Sequence, residues 1–189
     1  MVVRHRDIGI PAWIIQDGSY PDFEGGQTEE FAVEYSIPNS IAIPSPGREI
    51  SVKALGDALY DTVGDVVVHN DRITVLEIGI RIYHENMAET SCVPRGASRI
   101  AAILRLAVDA FSCYETVDAS GEVVPLVYSW RIHSILMQTA PFMNVGDVGM
   151  RDPQRLGYEE IAKTDAWKDD GGHASYILRC ELLPVSYRS

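Results

Sequence analysis

Apolar and polar positions alternate along most of this chain with a period of two, the mark of strands with one buried face. Residues 8–16 read as a first strand, closed by a polar turn over 17–22. Over 28–37, Phe31, Val33 and Tyr35 share one face, and Glu30, Ala32 and Glu34 the other. Residues 38–48, with Pro38, Pro44, Pro46 and Gly47, read as a loop. Strands are predicted over 65–70 and 72–85, with Leu76, Ile78, Ile80 and Ile82 on one face of the second. Further strands are expected over 99–117, 123–138 and 174–185. Two segments depart from period two. Val52, Leu55, Leu59 and Val63 fall near helical spacing, which predicts a short helix around 51–62, ended by Gly64. Asp152-Pro153 offers an N-cap with proline in the first turn, which predicts a helix running to about Thr164.

These elements predict one mainly β domain over 1–189, with one or two short helices. Residues 1–7 read as an N-terminal tail, and 139–172 as a loop and short-helix insertion before the last strand. Several strands exceed the usual five or six residues, which favours a barrel over a flat sandwich. Gly18, Gly25, Gly64 and Gly96 stand near strand entries, where a small barrel must bend. A single antiparallel barrel of the OB-like, Greek-key kind is expected, with a closed up-and-down barrel as the alternative.

Composition describes an ordinary globule: 189 residues, 46% hydrophobic and 23% charged, enough to bury a core without disulfides. Charge changes the picture. Sixteen Lys+Arg stand against 27 Asp+Glu, a net charge of −11. Such a surface repels a phosphate backbone, so nucleic acid is not an expected partner. The densest basic cluster, Arg4-His5-Arg6, lies in the tail. A basic protein or a small molecule is the expected partner, and solubility alone is the simpler use of the charge. No apolar run approaches the roughly 20 residues that span a membrane, so no membrane association is expected. Cys92, Cys113 and Cys180 match no metal or redox spacing; buried free thiols and a reducing cytoplasm are expected.

No local catalytic signature occurs. Phosphate-loop, dinucleotide, zincin, nucleophile-elbow and Cys-x-x-Cys patterns are all missing. No cofactor and no metal are expected. Candidate chemistry therefore lies in ionisable pairs spaced by two or four: Glu77 with Arg81, Arg105 with Asp109, Arg131 with His133, and Arg179 with Glu181. Facing inward they would line a polar cavity; facing outward they form a solvated ladder. Tyr128 and Trp130 share the face opposite Arg131 and His133, as a pocket wall or as core. Asp165, Asp169, Asp170 and His173 crowd near Trp167, as an acidic turn or, less simply, a divalent-ion site. Tyr20 and Phe23, beside Asp17 and Asp22, would present stacking surfaces if exposed.

Two functions fit this pattern. One is a non-catalytic binding or interaction module with an acidic surface, using Tyr128, Trp130, Arg131, His133, Glu77, Arg105 and Asp109 toward its ligand. The other is a cofactor-independent barrel enzyme of cyclase or isomerase type, with Glu77, Arg105, Asp109 and His133 converging in a cavity. The direction of the ionisable faces discriminates between them.

Overall fold

The computed structural model describes residues 5–38, 41–86, 93–110, 121, 124–145 and 148–184. Its elements are β1 (His5–Pro11), α1 (Ala12–Gln16), β2 (Thr28–Ser36), β3 (Ile43–Pro44), β4 (Ser51–Gly56), β5 (Leu59–His69), β6 (Ile73–Glu77), β7 (Arg81–Glu85), β8 (Arg99–Val108), β9 (Val127–Gln138), β10 (Phe142–Val145), β11 (Val148–Arg151), β12 (Tyr158–Ile161) and β13 (Ser175–Leu182). Short 3-10 turns cover Pro153–Arg155 and Asp169–Gly172.

Eight strands close a β-barrel, as the alternation predicts. Around the ring the order is β9-β13-β1-β8-β5-β6-β7-β2, returning to β9. This is not the sequential order of an up-and-down barrel, and it is consistent with the Greek-key, OB-like expectation. Two strands change partners along their length. β2 pairs with β9 over 28–32 and with β8 over 33–36. β8 pairs with β5 over 99–105 and with β2 over 105–108. The β2–β8 pairing crosses the ring and pinches it into a waist. Single parallel bridges flank this waist, Gly9 to Ala107 and Glu34 to Tyr83.

Aromatic and aliphatic side chains fill the interior. Trp130 is fully buried and stacks on Phe31 at 5.7 Å, and its indole N–H donates to the Phe31 carbonyl at 3.2 Å. Ile8, Ile10, Leu104, Leu106, Ile132 and Leu178 extend this core. A second cluster of Ala32, Val68, Ile73, Val75, Tyr83 and Leu126 lies apart from it. β6 therefore buries both faces, and its one buried polar residue, Thr74, is hydrogen-bonded to His69 and Asn86.

Several local expectations are corrected. Residues 51–62 form no helix but the β4–β5 hairpin. The apparent helical spacing belongs to two strands meeting at a turn, where Gly56, Asp57 and Ala58 all take positive φ. Pairing of β5 with β8 over seven successive positions overrides the weak local preference. The expected strand over 72–85 is a hairpin, β6 and β7, turning at Ile78-Gly79-Ile80 with Gly79 at φ +92°. Its isoleucines still enter the core: Ile78, Ile80 and Ile82 are all buried.

The first strand stops at Pro11 and α1 follows; Ala12 N–H still donates to the Ala174 carbonyl, the next position of the β1–β13 register. The strand starts at His5, inside the expected tail, and Arg6 is buried rather than part of a free basic cluster. Asp152 does cap a turn, accepting from Gln154 N at 2.9 Å, but the helix ends after Arg155. Residues 158–161 have no apolar face for a helix to bury, and they add to β9 as an edge strand. Residues 111–117 of one expected strand lie outside the described residues.

Candidate functional site

The ionisable pairs resolve into separate places. Glu77 and Arg81 are cross-strand partners of the β6–β7 hairpin, 3.5 Å apart and partly solvated. The Tyr128 hydroxyl, half-buried beside them, accepts from Arg81 N at 2.8 Å, and burial raises its pKa. Arg131 and His133 lie exposed on the outer face of β9. His133 meets Glu181 of β13 at 3.0 Å, and Arg179 approaches Asp7 of β1 at 3.9 Å. This is a solvated ladder. Trp130 is core, not a pocket wall.

Arg105 and Asp109 do not pair with each other. Asp109, past the end of β8, is 1% exposed and accepts from the Tyr83 hydroxyl. Arg105 turns instead to Asp57. The four residues proposed for an enzyme, Glu77, Arg105, Asp109 and His133, thus have four different partners.

Tyr20 and Phe23 are buried and pack against Phe31, so they offer no exposed stacking surface. The acids near Trp167 are occupied within the fold. Asp169 accepts from Asp165 N and the Tyr176 hydroxyl, Asp165 pairs with Lys168, and Asp170 pairs with Arg151. Among the described residues no group of three or more metal-ligating side chains converges. Cys180 is a buried free thiol whose pKa burial pushes up; Cys92 and Cys113 lie outside the described residues.

Among the described residues, one concave feature that gathers polar groups is a cleft of about 220 Å³ on the barrel wall. It opens where β1 leaves β8 beyond the Gly9–Ala107 bridge. Gly9, Ile10, Leu106, Ala107 and Ile177 contribute to its lining, and the β4–β5 turn reaches in from one side. That turn is held firmly. Leu106 N–H donates to the Ala58 carbonyl at 2.9 Å, and the Arg105 guanidinium binds both the Asp57 carbonyl, at 3.1 Å, and its carboxylate, at 2.8 Å. Tyr158, at the start of β12, donates its hydroxyl to the same carboxylate. Asp57 and Ala58 hold φ of 53° and 54°, left-handed values that non-glycine residues adopt at a cost, so tertiary contacts maintain them.

Pro11, Gln138, Ser175 and Tyr176 complete the lining. Burial, then the hydrogen bond to Asp57 and its charge, push the Tyr158 phenol up to about 12. Tyr158 therefore keeps its proton near neutral pH and serves as a donor, not as a base. The volume is below the roughly 300–1,000 Å³ typical of small-molecule pockets. The arrangement suits seating one small group or a side chain, with a fixed ion pair and a phenol at its edge.

Sequence reasoning reached Arg105 but missed Asp57 and Tyr158. Asp57 lay in a segment read as helix, and Tyr158 in another. Gly56-Asp57 at the junction of two apolar runs was the available hairpin signal.

Among the described residues no helix is long and apolar enough to cross a membrane. Compared with known proteins, the chain matches no family model, no curated protein and no solved structure.

Proposed function

We propose that this chain is a non-catalytic interaction module that engages a partner through the part of the barrel wall bearing the Asp57–Arg105–Tyr158 cleft. The observation that carries this reading is the direction of the charged faces. Arg131, His133, Arg179 and Glu181 point outward from β9 and β13, while the barrel interior is packed with aromatic and aliphatic side chains. Packing of this kind among the described residues favours contact at the surface over enclosure of a substrate. The cleft supports binding at the surface instead: a shallow apolar floor, a rigid turn and a phenol that holds its proton. The acidic charge favours a basic partner, and the buried Cys180 thiol fits a reducing, cytoplasmic setting.

Native mass spectrometry of the protein purified gently from its own host tests this reading. A bound polypeptide or small molecule is expected, released unchanged on denaturation and lost in the Arg105→Ala variant. A bound molecule that is chemically converted during incubation would overturn the non-catalytic reading in favour of an enzyme. Retention undiminished by Arg105→Ala would remove the cleft from it.

A further inference from the structure

We infer that the acidic surface formed by α1 and the 165–173 turn, which presents Trp13 and Trp167, docks a lysine- or arginine-rich segment of a partner protein. This inference rests on the interaction-module reading and names its partner's chemistry. Of the three tryptophans, Trp130 is fully buried, whereas Trp13 is 54% and Trp167 70% exposed. Two bulky indoles left in water call for a partner surface, since tryptophan concentrates at binding hot spots.

The two indoles stand on segments tied to each other. Gln16, one helical turn from Trp13, donates from Nε2 to the Ala166 carbonyl at 2.6 Å and the Gly172 carbonyl at 2.8 Å, and these flank Trp167. Ala12 N–H donates to the Ala174 carbonyl at 2.8 Å. Lys168 N–H and Asp169 N–H both donate to the Asp165 carbonyl, at 2.9 and 2.8 Å, closing the turn that carries Trp167. Both rings thus ride on preformed backbone, which lowers the ordering cost of binding. The cleft wall adjoins them, because Pro11 and Ser175 line it directly beside Ala12 and Ala174.

Charge selects the partner. Asp17, Asp22, Glu24, Asp165, Asp169 and Asp170 outnumber Lys163, Lys168 and Arg151 on these segments. Asp165 and Asp170 are paired with Lys168 and Arg151, which leaves Asp17, Asp22, Glu24 and Asp169 against Lys163 and keeps the surface net negative. An indole face attracts a cation, and Trp is the strongest of the aromatic residues in this respect. Surrounding carboxylates add to that attraction, steer a basic segment in and repel anionic lipid and nucleic acid.

The test is a titration with short arginine-rich, lysine-rich, glutamate-rich and uncharged peptides, followed by tryptophan fluorescence and by calorimetry. Because Trp130 is buried, the fluorescence change reports Trp13 and Trp167. Basic peptides are expected to bind in a salt-sensitive manner, and the other two classes not to bind. W13A and W167A are each expected to weaken binding about two- to five-fold, and the double variant more, with unchanged far-UV circular dichroism. Glu24→Lys is expected to weaken binding without touching either ring. Equal binding of basic and uncharged peptides, or a double variant that binds like the parent, would overturn the inference. Tryptophan-dependent binding to uncharged phosphatidylcholine vesicles in place of basic peptides would overturn it in favour of a lipid surface. A partner found by native mass spectrometry and kept by the double tryptophan variant would sink this inference alone. Absence of any partner would sink the module reading.

Discussion

On the outer face of β9, β13 and β1, Arg131, Glu181 and His5 stand in register across three strands, Arg179 stands opposite Asp7, and His133 lies at the bulge between these rows. At the waist, where β2 meets β8 and β7, Glu34, Tyr83, His84, Glu85 and Asp109 gather in a much drier setting. The residue types are similar and the consequences opposite. Outside, water screens every charge, and a pair such as His133–Glu181 competes with good solvation. At the waist, burial and the neighbouring Glu85 and Asp109 charges raise the Glu34 pKa to about 7. Burial likewise lowers that of His84, which meets the Tyr35 carbonyl at 3.0 Å. The same side chain is a spectator on one surface and a structural element on the other; what differs is access to water.

The largest effect expected from this contrast is at Asp109. Asp109→Ala removes the carboxylate that receives the Tyr83 hydroxyl at the second core cluster. A loss of about 2–4 kcal/mol is expected in urea unfolding. Tyr83→Phe, which keeps the ring and removes only the donor, is expected to cost about 1–3 kcal/mol. A loss within experimental error in both variants would show that the waist is as solvated as the ladder.

Glu34 comes next and is read from pH. Between about 4.5 and about 7 the folded chain holds a proton at Glu34 that the unfolded chain has released. Its contribution to stability therefore falls as pH rises through that window and is level above it. His84, with its lowered pKa, contributes in the opposite sense below its ordinary value of 6.5. Glu34→Gln isolates the first slope: the variant should gain on the parent as pH rises from 5 to 8. The gain should reach about 1–2 kcal/mol, allowing for the solvent that still reaches this side chain. Parallel stability curves for the two proteins would place Glu34 with the outer charges.

The smallest effect belongs to the ladder. His133→Ala and Glu181→Gln should leave the urea midpoint unchanged within measurement, in low and high salt alike. A clear loss at either position would make the outer face part of the stabilising framework and blur the contrast.

Much of the barrel was legible along the chain. The alternation in β2 correctly turned Phe31, Val33 and Tyr35 inward, and the Leu76–Ile82 series found core residues even though its single strand is a hairpin. The site was far less legible. Asp57, Arg105 and Tyr158 come from three separate elements, and two of these were read with the wrong period. Trp13 stands in a segment read as strand, which hid its exposure.

The period-two pattern by itself determined the β class and most inward-facing positions, because successive strand side chains must point to opposite faces. Composition alone set the acidic balance. Only the tertiary structure decided which strands adjoin, and so that 59–65 would pair with β8 and 51–56 with β5 rather than coil, and that 158–161 would pair with β9. Only the tertiary structure separated Asp109 from Arg105 and buried one while leaving the other at a cleft. Burial and partner choice depend on residues far away in sequence. A charged residue reads the same along the chain whether water or a second strand will stand beside it.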